Sequence, residues 1–270
     1  MIIKGETMVS TTESSADKIQ KGSTLSAWVL VLFFFVLWEA IVRLVNVPVY
    51  ILPAPSVVFL TIAKNISTYA NGTLLTVGEA VLGLLLGMIA GTLLASLLVF
   101  YPKLEGGVMT LAILMKSTPL VAIAPLLTLW LGFGIMPKII ITALMTFFPV
   151  LVNVLVGLQK VDPALIDLFR SWHASRSQIF FHLRIPSSLP NLFAAIKISA
   201  PLALIGAVVA EWTGASGGLG KTMWLAYTNL NLPFLFAAIF ILAAIGILIY
   251  WLLIRLESWI IFWQLDTQNL

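Results

Sequence analysis

Residues 161–190 read VDPALIDLFRSWHASRSQIFFHLRIPSSLP, a polar and basic stretch between two long apolar segments. We call this stretch the polar insert. It has to lie in water, because a bilayer interior does not satisfy the polar groups of an irregular backbone. If its Phe, Leu and Ile side chains share one face, that face needs a partner protein to cover it. The polar insert is therefore predicted to be a docking element outside the membrane.

The composition places the rest of the chain in a membrane. Of the 270 residues, 60% are hydrophobic and 10% are charged, whereas soluble domains are roughly half apolar and a quarter charged. A net charge of +4 is too small to indicate nucleic-acid binding. The absence of Cys excludes disulfides and thiolate metal sites. With only two His, we expect no metal centre in this chain. We expect no cofactor in this chain.

Six apolar runs are long enough to cross a bilayer, since one helical crossing takes about 20 residues. The runs are residues 27–47, 74–100, 104–124, 138–158, 191–212 and 233–255. The sequence thus predicts an all-α, polytopic membrane protein with both termini on one side. We divide it into a cytosolic tail over 1–25, a membrane domain over 26–258 and a C-terminal tail over 259–270.

The distribution of basic residues predicts the orientation. With a cytosolic N-terminus, the basic residues outside the spans favour the inner side. The inner set is Lys4, Lys18, Lys21, Lys103, Lys160, Arg170, Arg176, Arg184 and Arg255, and the outer set is Arg43, Lys64, Lys138 and Lys221. Because cytosolic loops carry an excess of Lys and Arg, this distribution places the polar insert in the cytosol.

Four residues at the third span are candidates for a solute pathway. Pro119, Pro125, Gly132 and Gly134 break the helical pattern at membrane depth, which is tolerated where the backbone faces protein or a water-filled cavity. We therefore select Lys116, Ser117, Thr118 and Pro119 as pathway candidates. The alternative for Lys116 is that its ammonium reaches the headgroups from a helix end. Glu211, at the outer end of the fifth span, is a candidate for an outer gate.

Other residues in the spans have structural interpretations. Gly83, Gly87 and Gly91 recur every fourth residue and predict a close helix-packing seam. Glu39 and Arg43 are four residues apart, which predicts an ion pair. We expect Glu79 to lie at the outer interface and Lys197 to reach back to the cytosolic surface.

The first half of the polar insert has the pattern of a short amphipathic helix. Asp162 is a candidate N-cap and Pro163 suits the first helical turn. The helical spacing then places Leu165, Leu168, Phe169 and Trp172 on one face. Such a face docks into a groove of a partner; the alternative is that the helix lies on its own bundle. Pro186 and Pro190 are expected to end the polar insert.

The spacing of the polar insert resembles the EAA loop of type I permeases in ATP-binding-cassette (ABC) importers. That pattern runs Glu-Ala-Ala, three residues, Gly, nine residues, Ile, any residue, Leu-Pro. Here Asp167 takes the Glu place, Leu168 and Phe169 the Ala places, His173 the Gly place and Leu183 the Ile place, and Ile185-Pro186 stands for Leu-Pro. The resemblance assigns ATPase coupling to Leu165, Asp167, Leu168, Phe169, Arg170, Trp172, His173, Ala174, Ser175, Arg176, Leu183 and Pro186.

Further stretches resemble the sulfonate, taurine, nitrate and pyrimidine-precursor branch of these permeases. They are LPAPSVV over 52–58, STPLVAIAPLLTLWLGFG over 117–134, the Leu-Pro at 189–190 and AEWTGASGGLG over 210–220. Together they cover most of the chain. One departure matters for the backbone, because a His at the family's Gly place resists a positive φ. We expect this bend to be rebuilt. Leu168 and Phe169 at the two Ala places imply a partner with a wider groove, and the alternatives are impaired coupling or a divergent subfamily.

The resemblance implies a permease fold of about six helices and a set of partners. Two copies of this chain would form a homodimer, two cytosolic subunits would bind ATP and Mg, and an extracytoplasmic binding protein would deliver the solute at residues 48–73 and 213–231. The location implied is the bacterial plasma (inner) membrane, with both termini in the cytosol. The chain itself would hydrolyse nothing, and we find no Walker spacing in it.

Two other classes remain open from the residues alone. A secondary transporter would need ionisable residues near mid-membrane and often has inverted repeats, neither of which we find. An intramembrane enzyme would need a nucleophile with a base, or a metal cluster, at depth. The identity of the solute does not follow from the sequence.

Overall fold

The computed structural model describes residues 29–262, and within them the chain is helical with no β-strand. The predicted tail over 1–25 and residues 263–270 of the predicted tail over 259–270 lie outside the described residues, and α11 extends into the start of that second tail, to Ile260. The helices are α1 over 29–44, α2 Pro55–Lys64, α3 Ile66–Phe100, α4 Glu105–Ser117, α5 Leu120–Leu131, α6 Met136–Gln159, α7 Pro163–Ser171, α8 Arg176–Ile179, α9 Ile185–Trp212, α10 Leu219–Thr228 and α11 Leu232–Ile260.

Four of these helical segments are long and apolar enough to cross a membrane within the described range. They are Ile66–Phe100, Met136–Gln159, Arg176–Trp212 and Leu232–Ile260, and a fifth crossing arises if the bent pair α4 and α5 counts as one. These segments correspond to five of the six predicted spans. The first predicted span begins outside the described residues, and its described part is α1. The all-α, polytopic fold class is confirmed, whereas the number of six crossings stays a prediction.

The helices α3, α6 and α9 form the centre of the bundle. The packing seam of α3, formed by Gly83, Gly87 and Gly91, lies directly against α6. A methyl group added to Gly87 would come within 2.8 Å of the carbonyl oxygen of Ala143. A methyl group on Gly83 would come within 2.9 Å of the carbonyl oxygen of Ile139. The missing side chains therefore let the two helix backbones approach each other closely.

The third predicted span is broken rather than straight. Residues Pro102–Ser117 and Leu120–Leu131 meet at an angle of 92°. Thr118 has the extended conformation (φ −77°, ψ 127°), because the ring of Pro119 disfavours the α region for the residue before it. A break at Pro119 was expected from the sequence, and the structure has the bend at this position within the predicted span 104–124.

The fifth predicted span begins much earlier than expected. One helical path of 37 residues runs from Arg176 to Trp212, so Pro186 and Pro190 do not end the polar insert. A π-helical turn over Phe180–Arg184 precedes Pro186. We attribute the continuity to this turn, since its wider hydrogen-bonding pattern accommodates a residue that has no N–H to donate.

The helices at the periphery are joined by polar contacts. Arg43 Nε lies 2.6 Å from Glu39 Oε1, which confirms the predicted ion pair. Glu39 also accepts a hydrogen bond of 3.0 Å from the backbone N–H of Ser56 in the first turn of α2. Lys197 forms an ion pair with Glu257 near the end of α11, with its ammonium 2.7 Å from the carboxylate.

Candidate functional site

The helix α7 begins as the sequence predicts. The carboxylate of Asp162 accepts a hydrogen bond of 2.9 Å from the backbone N–H of Ala164, and Pro163 occupies the first turn. The N-cap prediction is thus confirmed. The cap satisfies one of the free N–H groups at the helix start and fixes where α7 begins.

One face of α7 is apolar and exposed. Leu165 and Leu168 expose 42% and 43% of their surface, and Trp172 exposes 68%. The spacing of three and four residues places these side chains side by side on the helix. An exposed apolar ridge of this kind marks a protein–protein or membrane interaction surface.

The face of α7 next to this ridge packs on the chain itself. Ile166 and Phe169 contact a small cluster formed by the buried side chains of Val161, Ile179 and Leu183. Phe169 was predicted to belong to the exposed ridge, but it lies at the boundary and packs inward, where its ring centroid is 5.9 Å from that of Trp172. This packing holds α7 against α8 and leaves the exposed ridge free.

The bend after α7 keeps a left-handed backbone although it carries a histidine. His173 has a φ of 58°. The N–H of His173 donates to the carbonyl of Arg170 at 2.9 Å, and the N–H of Ala174 donates to the carbonyl of Phe169 at 3.0 Å. These two bonds define a Schellman motif, whose left-handed position is usually Gly. The expectation of a rebuilt bend was wrong at the level of the backbone.

A capping box begins α8 after this bend. The hydroxyl of Ser175 accepts from the N–H of Gln178, and the side chain of Gln178 accepts from the N–H of Ser175 at 2.7 Å. Both partners are local, so the start of α8 is well defined. The polar insert thus consists of α7, a four-residue bend, α8, the π turn and the first residues of α9.

The charged residues of the polar insert differ in their contacts. Asp167 and Arg170 form an exposed ion pair of 3.2 Å. Arg184 donates to the carbonyl of Leu158 at 2.6 Å and so joins the start of α9 to the end of α6. Arg176 has no side-chain partner within residues 29–262.

A cavity of about 510 Å³ lies beside the broken span, between α4, α5, α6 and α9. Lys116 and Thr118 line it, whereas Ser117 and Pro119 do not. The ammonium of Lys116 lies 4.7 Å from the ring centroid of Phe148, a distance at which a cation is attracted to an aromatic face. The rest of the wall is mostly apolar and includes Met115, Met145 and Phe147.

Glu211 lies in a buried polar cluster rather than on an open surface. It is 1% exposed, and Thr76 donates to its Oε1 at 2.6 Å. The N–H of Gly220 donates to its Oε2 at 2.5 Å, and the N–H of Leu219 donates to the hydroxyl of Thr76 at 2.8 Å. The cluster therefore ties the end of α9 to α3 and to the start of α10.

Sequence reasoning missed a buried ion pair next to this cluster. Lys138 Nζ lies 2.6 Å from Glu79 Oε1, and Glu79 is 2% exposed. The expectation that Glu79 lies at the membrane interface was wrong. Glu79 is buried, and the ammonium of Lys138 compensates the charge of its carboxylate. The signal available in the sequence was a pair of opposite charges, Glu79 and Lys138, at the predicted outer ends of the second and fourth spans.

These features define a class of protein. A polytopic helical bundle has a broken span beside a cavity, and a short amphipathic helix stands outside the bundle between two spans. This is the organisation of a membrane transport component that works with a partner. The structure superposes on a chain of the MetNI methionine ABC transporter in an inward-facing conformation with a TM-score of 0.62 and 21% identity, covering 69% of this chain and 93% of that one.

The chain belongs to the family of binding-protein-dependent transport system inner membrane components, whose model matches residues 83–261. It is 36% identical to the formylaminopyrimidine transport permease protein ThiX of Halalkalibacterium halodurans, over 86% of this chain and 93% of that protein. It is 31% identical to the putative aliphatic sulfonates transport permease protein SsuC of Bacillus subtilis, over 91% and 92%. The protein is a permease subunit of an ABC importer.

Proposed function

We propose that this permease is driven through α7, which docks into a cleft of a separate ATP-binding subunit. The exposed ridge of Leu165, Leu168 and Trp172 carries this proposal, because it is apolar and directed away from the bundle. Docking of such a ridge in a groove buries its apolar surface. The inward packing of Phe169 supports the same assignment, since it gives the ridge a rigid base.

The partners and the location follow from the family. Two copies of this chain form the pathway, two ATP-binding subunits bind the two α7 helices, and ATP with Mg stays in those subunits. A binding protein delivers the solute on the opposite side, at residues 48–73 and 213–231. The membrane is the bacterial inner membrane, with α7 in the cytosol. The family description, which names binding-protein dependence and the inner membrane, supports this arrangement.

The long helix after the bend provides a mechanical link. Arg176–Trp212 spans 37 residues, which corresponds to a length of about 55 Å at 1.5 Å per residue. One end packs against α7 through Ile179, and the other end carries Glu211 in the polar cluster. A displacement of α7 by the ATPase is therefore transmitted to the cluster that closes the far end of the bundle.

We propose a small, flat heteroaromatic solute of the pyrimidine type. The cavity beside the broken span offers two aromatic rings and two thioethers around one ammonium, that of Lys116. Such a wall suits a planar, weakly hydrated ring better than a strongly hydrated sulfonate. The relationship to a formylaminopyrimidine permease supports the same solute class.

The docking proposal is tested by co-purification with the ATP-binding subunit. Trp172→Ala and Leu168→Glu should lower the amount of co-purified ATPase severalfold. Trp259→Ala is the matched control, since Trp259 is 79% exposed but lies near the end of α11. If both Trp variants retain the ATPase equally, α7 is not the docking element. Transport by the chain alone under an ion gradient would contradict the importer mechanism as a whole.

The orientation is tested by labelling single cysteines, which is possible because the chain has no Cys. A membrane-impermeant maleimide should label Asp167→Cys only from the cytosolic side and Lys221→Cys only from the outer side. Both side chains are on short helices outside the bundle centre, and Asp167 is 73% exposed in its side chain. Labelling of Asp167→Cys from the outside alone would place α7 away from ATP and contradict the proposal.

The solute class is tested by ligand screening of the associated binding protein and by transport in vesicles. Pyrimidines should compete for uptake, and alkanesulfonates should not. Phe148→Ala should reduce uptake more than Phe133→Ala, whose side chain is exposed and does not line the cavity. Uptake of a sulfonate without competition by a pyrimidine would overturn this assignment.

A further inference from the structure

Three arginine side chains line one cavity on the bundle side of α7. The cavity measures about 600 Å³ and lies between the end of α3 and the segment from α7 to the π turn. Its basic residues are Arg170, Arg176 and Arg184. Among the described residues that line it there is no Asp or Glu. The cavity is therefore strongly positive.

Most hydrogen-bond donors of these arginines are free. A guanidinium has five N–H donors. Arg184 uses one of them on the carbonyl of Leu158, and Arg170 uses one on the exposed Asp167. The guanidinium of Arg176 has no hydrogen-bond or ion-pair partner in the described part of the chain. The planar donor fork of Arg matches phosphate oxygens, so this set of donors favours a phosphate group.

The walls of the cavity are apolar on the side of the bundle. The ring centroids of Phe100 and Phe180 lie 4.8 Å apart, and both rings border the cavity. Phe100 is the last residue of α3, and the exposed residues Tyr101 and Lys103 follow it. Tyr and Lys at the end of a spanning helix mark the headgroup level of a bilayer. The cavity thus has its charges and its apolar wall at the level where a phospholipid has its phosphate and its glycerol region.

The cavity and the docking ridge use different faces of α7. At 100° per residue, Ile166 and Arg170 are rotated by about 100° and 140° from Leu165. Ile166 and Arg170 line the cavity, whereas Leu165 belongs to the exposed ridge. A ligand in the cavity and a protein on Leu165, Leu168 and Trp172 therefore contact different side chains. Arg170, Ala174 and Arg176, which line the cavity, also belong to the set to which the resemblance assigns coupling.

We propose that this cavity binds the phosphate of an anionic phospholipid from the adjacent leaflet, with Arg176 and Arg184 as its principal ligands. A lipid fits better than an acidic side chain of a partner protein, because the cavity is on the bundle side of α7 and has an aromatic wall. It also fits better than free phosphate, which gains nothing from that wall. Anionic lipids are recognised by basic pockets of this kind at the cytosolic surface. The bound lipid would join α7 to the end of α3.

The proposal is tested on the purified, delipidated full chain without any partner subunit. Binding of short-chain phosphatidylglycerol, short-chain phosphatidylcholine and inorganic phosphate is measured by calorimetry or thermophoresis. Phosphatidylglycerol should bind at least tenfold more tightly than phosphatidylcholine. Arg176→Gln should weaken phosphatidylglycerol binding about tenfold, the value expected for one charge-assisted contact.

Arg255→Gln is the matched control. The Arg255 guanidinium lies 5.0 Å from the ring centroid of Trp251 near the end of α11, and it does not line the cavity. This variant should bind phosphatidylglycerol as the parent does. Because Arg176 has no intramolecular partner to lose, Arg176→Gln should keep the parent melting temperature, and Arg176→Lys should restore part of the affinity.

Three results would overturn the proposal. Equal affinities for the two lipids would show that the negative charge is not recognised. Equal weakening by Arg176→Gln and Arg255→Gln would place the binding outside the cavity. Displacement of the lipid by an equal concentration of inorganic phosphate would assign the site to a free anion. None of these readouts involves the ATPase, so they are independent of the docking proposal.

Discussion

Lys138 Nζ lies 2.6 Å from Glu79 Oε1, and this buried ion pair joins α6 to α3. The neighbouring contacts of Thr76 and Glu211 connect the same region to α9. Three central helices are thus joined by polar side chains at one end of the bundle, in the region that the proposed orientation places on the outer side. A pair of this kind is costly to break, since the remaining charge stays buried without its partner.

Replacement of one partner of this pair should destabilise the protein strongly. We expect Lys138→Ala to lower the free energy of unfolding by about 3–5 kcal/mol, because it leaves the Glu79 carboxylate buried and unpaired. Thermal unfolding in detergent would measure the loss. Arg43→Ala is the control, since it breaks an exposed pair with Glu39, and should cost less than about 1 kcal/mol. The double variant Lys138→Met with Glu79→Gln should recover much of the loss; if it is as unstable as Lys138→Ala, burial of charge is not the cause.

From the packing seam of α3 against α6, we predict that alanine has opposite effects on stability at Gly87, inside the seam, and at Gly78, outside it. Gly87→Ala should destabilise the bundle by about 1–3 kcal/mol, because the added methyl group meets Thr146 Oγ1 and the backbone of α6. Gly78→Ala is the control, since no atom lies within 4 Å of the added methyl group. This second change should be neutral or stabilise by up to about 1 kcal/mol, as expected for Ala in place of Gly in a helix. Similar melting temperatures of the two variants would contradict the close approach of α3 and α6.

The left-handed His173 predicts a stabilising substitution. His173→Gly should stabilise the bend by up to about 1 kcal/mol, because Gly adopts the φ of 58° without a steric penalty. His173→Val should destabilise it, since a β-branched residue resists this region. Hydrogen exchange of the N–H groups of His173 and Ala174, which form the Schellman bonds, would measure both effects. Slower exchange in the Val variant than in the Gly variant would speak against the bend described here.

The loop that contains Gly218 packs against the carboxylate of Glu211. From this contact we predict that substitutions at the two positions are non-additive. Gly218 has a φ of 111°, and a methyl group there would overlap the Glu211 carboxylate. Gly218→Ala should therefore cost about 2–4 kcal/mol from the clash and the strained backbone. Gly217→Ala is the milder control, since its methyl group meets only the flexible end of Leu75.

Combining Gly218→Ala with Glu211→Ala tests whether the clash with the carboxylate causes the loss of stability in Gly218→Ala. In Gly218→Ala combined with Glu211→Ala, the clashing carboxylate is absent, so the double variant should be at least about 1 kcal/mol more stable than the sum of the two single losses predicts. Strict additivity in thermal unfolding would show that Gly218 does not approach Glu211 in the membrane.

The local features of the chain could be predicted from neighbouring residues. Asp162 as N-cap, the break at Pro119 and the pair of Glu39 with Arg43 depend on interactions within a few residues, so their signals are present in the sequence. The burial of Glu79 and the inward packing of Phe169 could not be predicted in this way. Both depend on side chains distant in the chain, Lys138 for Glu79 and the pair of Ile179 and Leu183 for Phe169.

By itself, the sequence determined that this chain is an all-α membrane protein that resembles an importer permease, and it predicted that residues 161–190 form a docking element. Those conclusions rest on hydrophobicity and short-range spacing, which are properties of contiguous residues. Only the tertiary structure decided that one helical path continues from the polar insert to Glu211 through three prolines, Pro186, Pro190 and Pro201, and that three arginines line one cavity. Both depend on how separate helices pack in space, because packing determines which side chains meet and where a proline is tolerated.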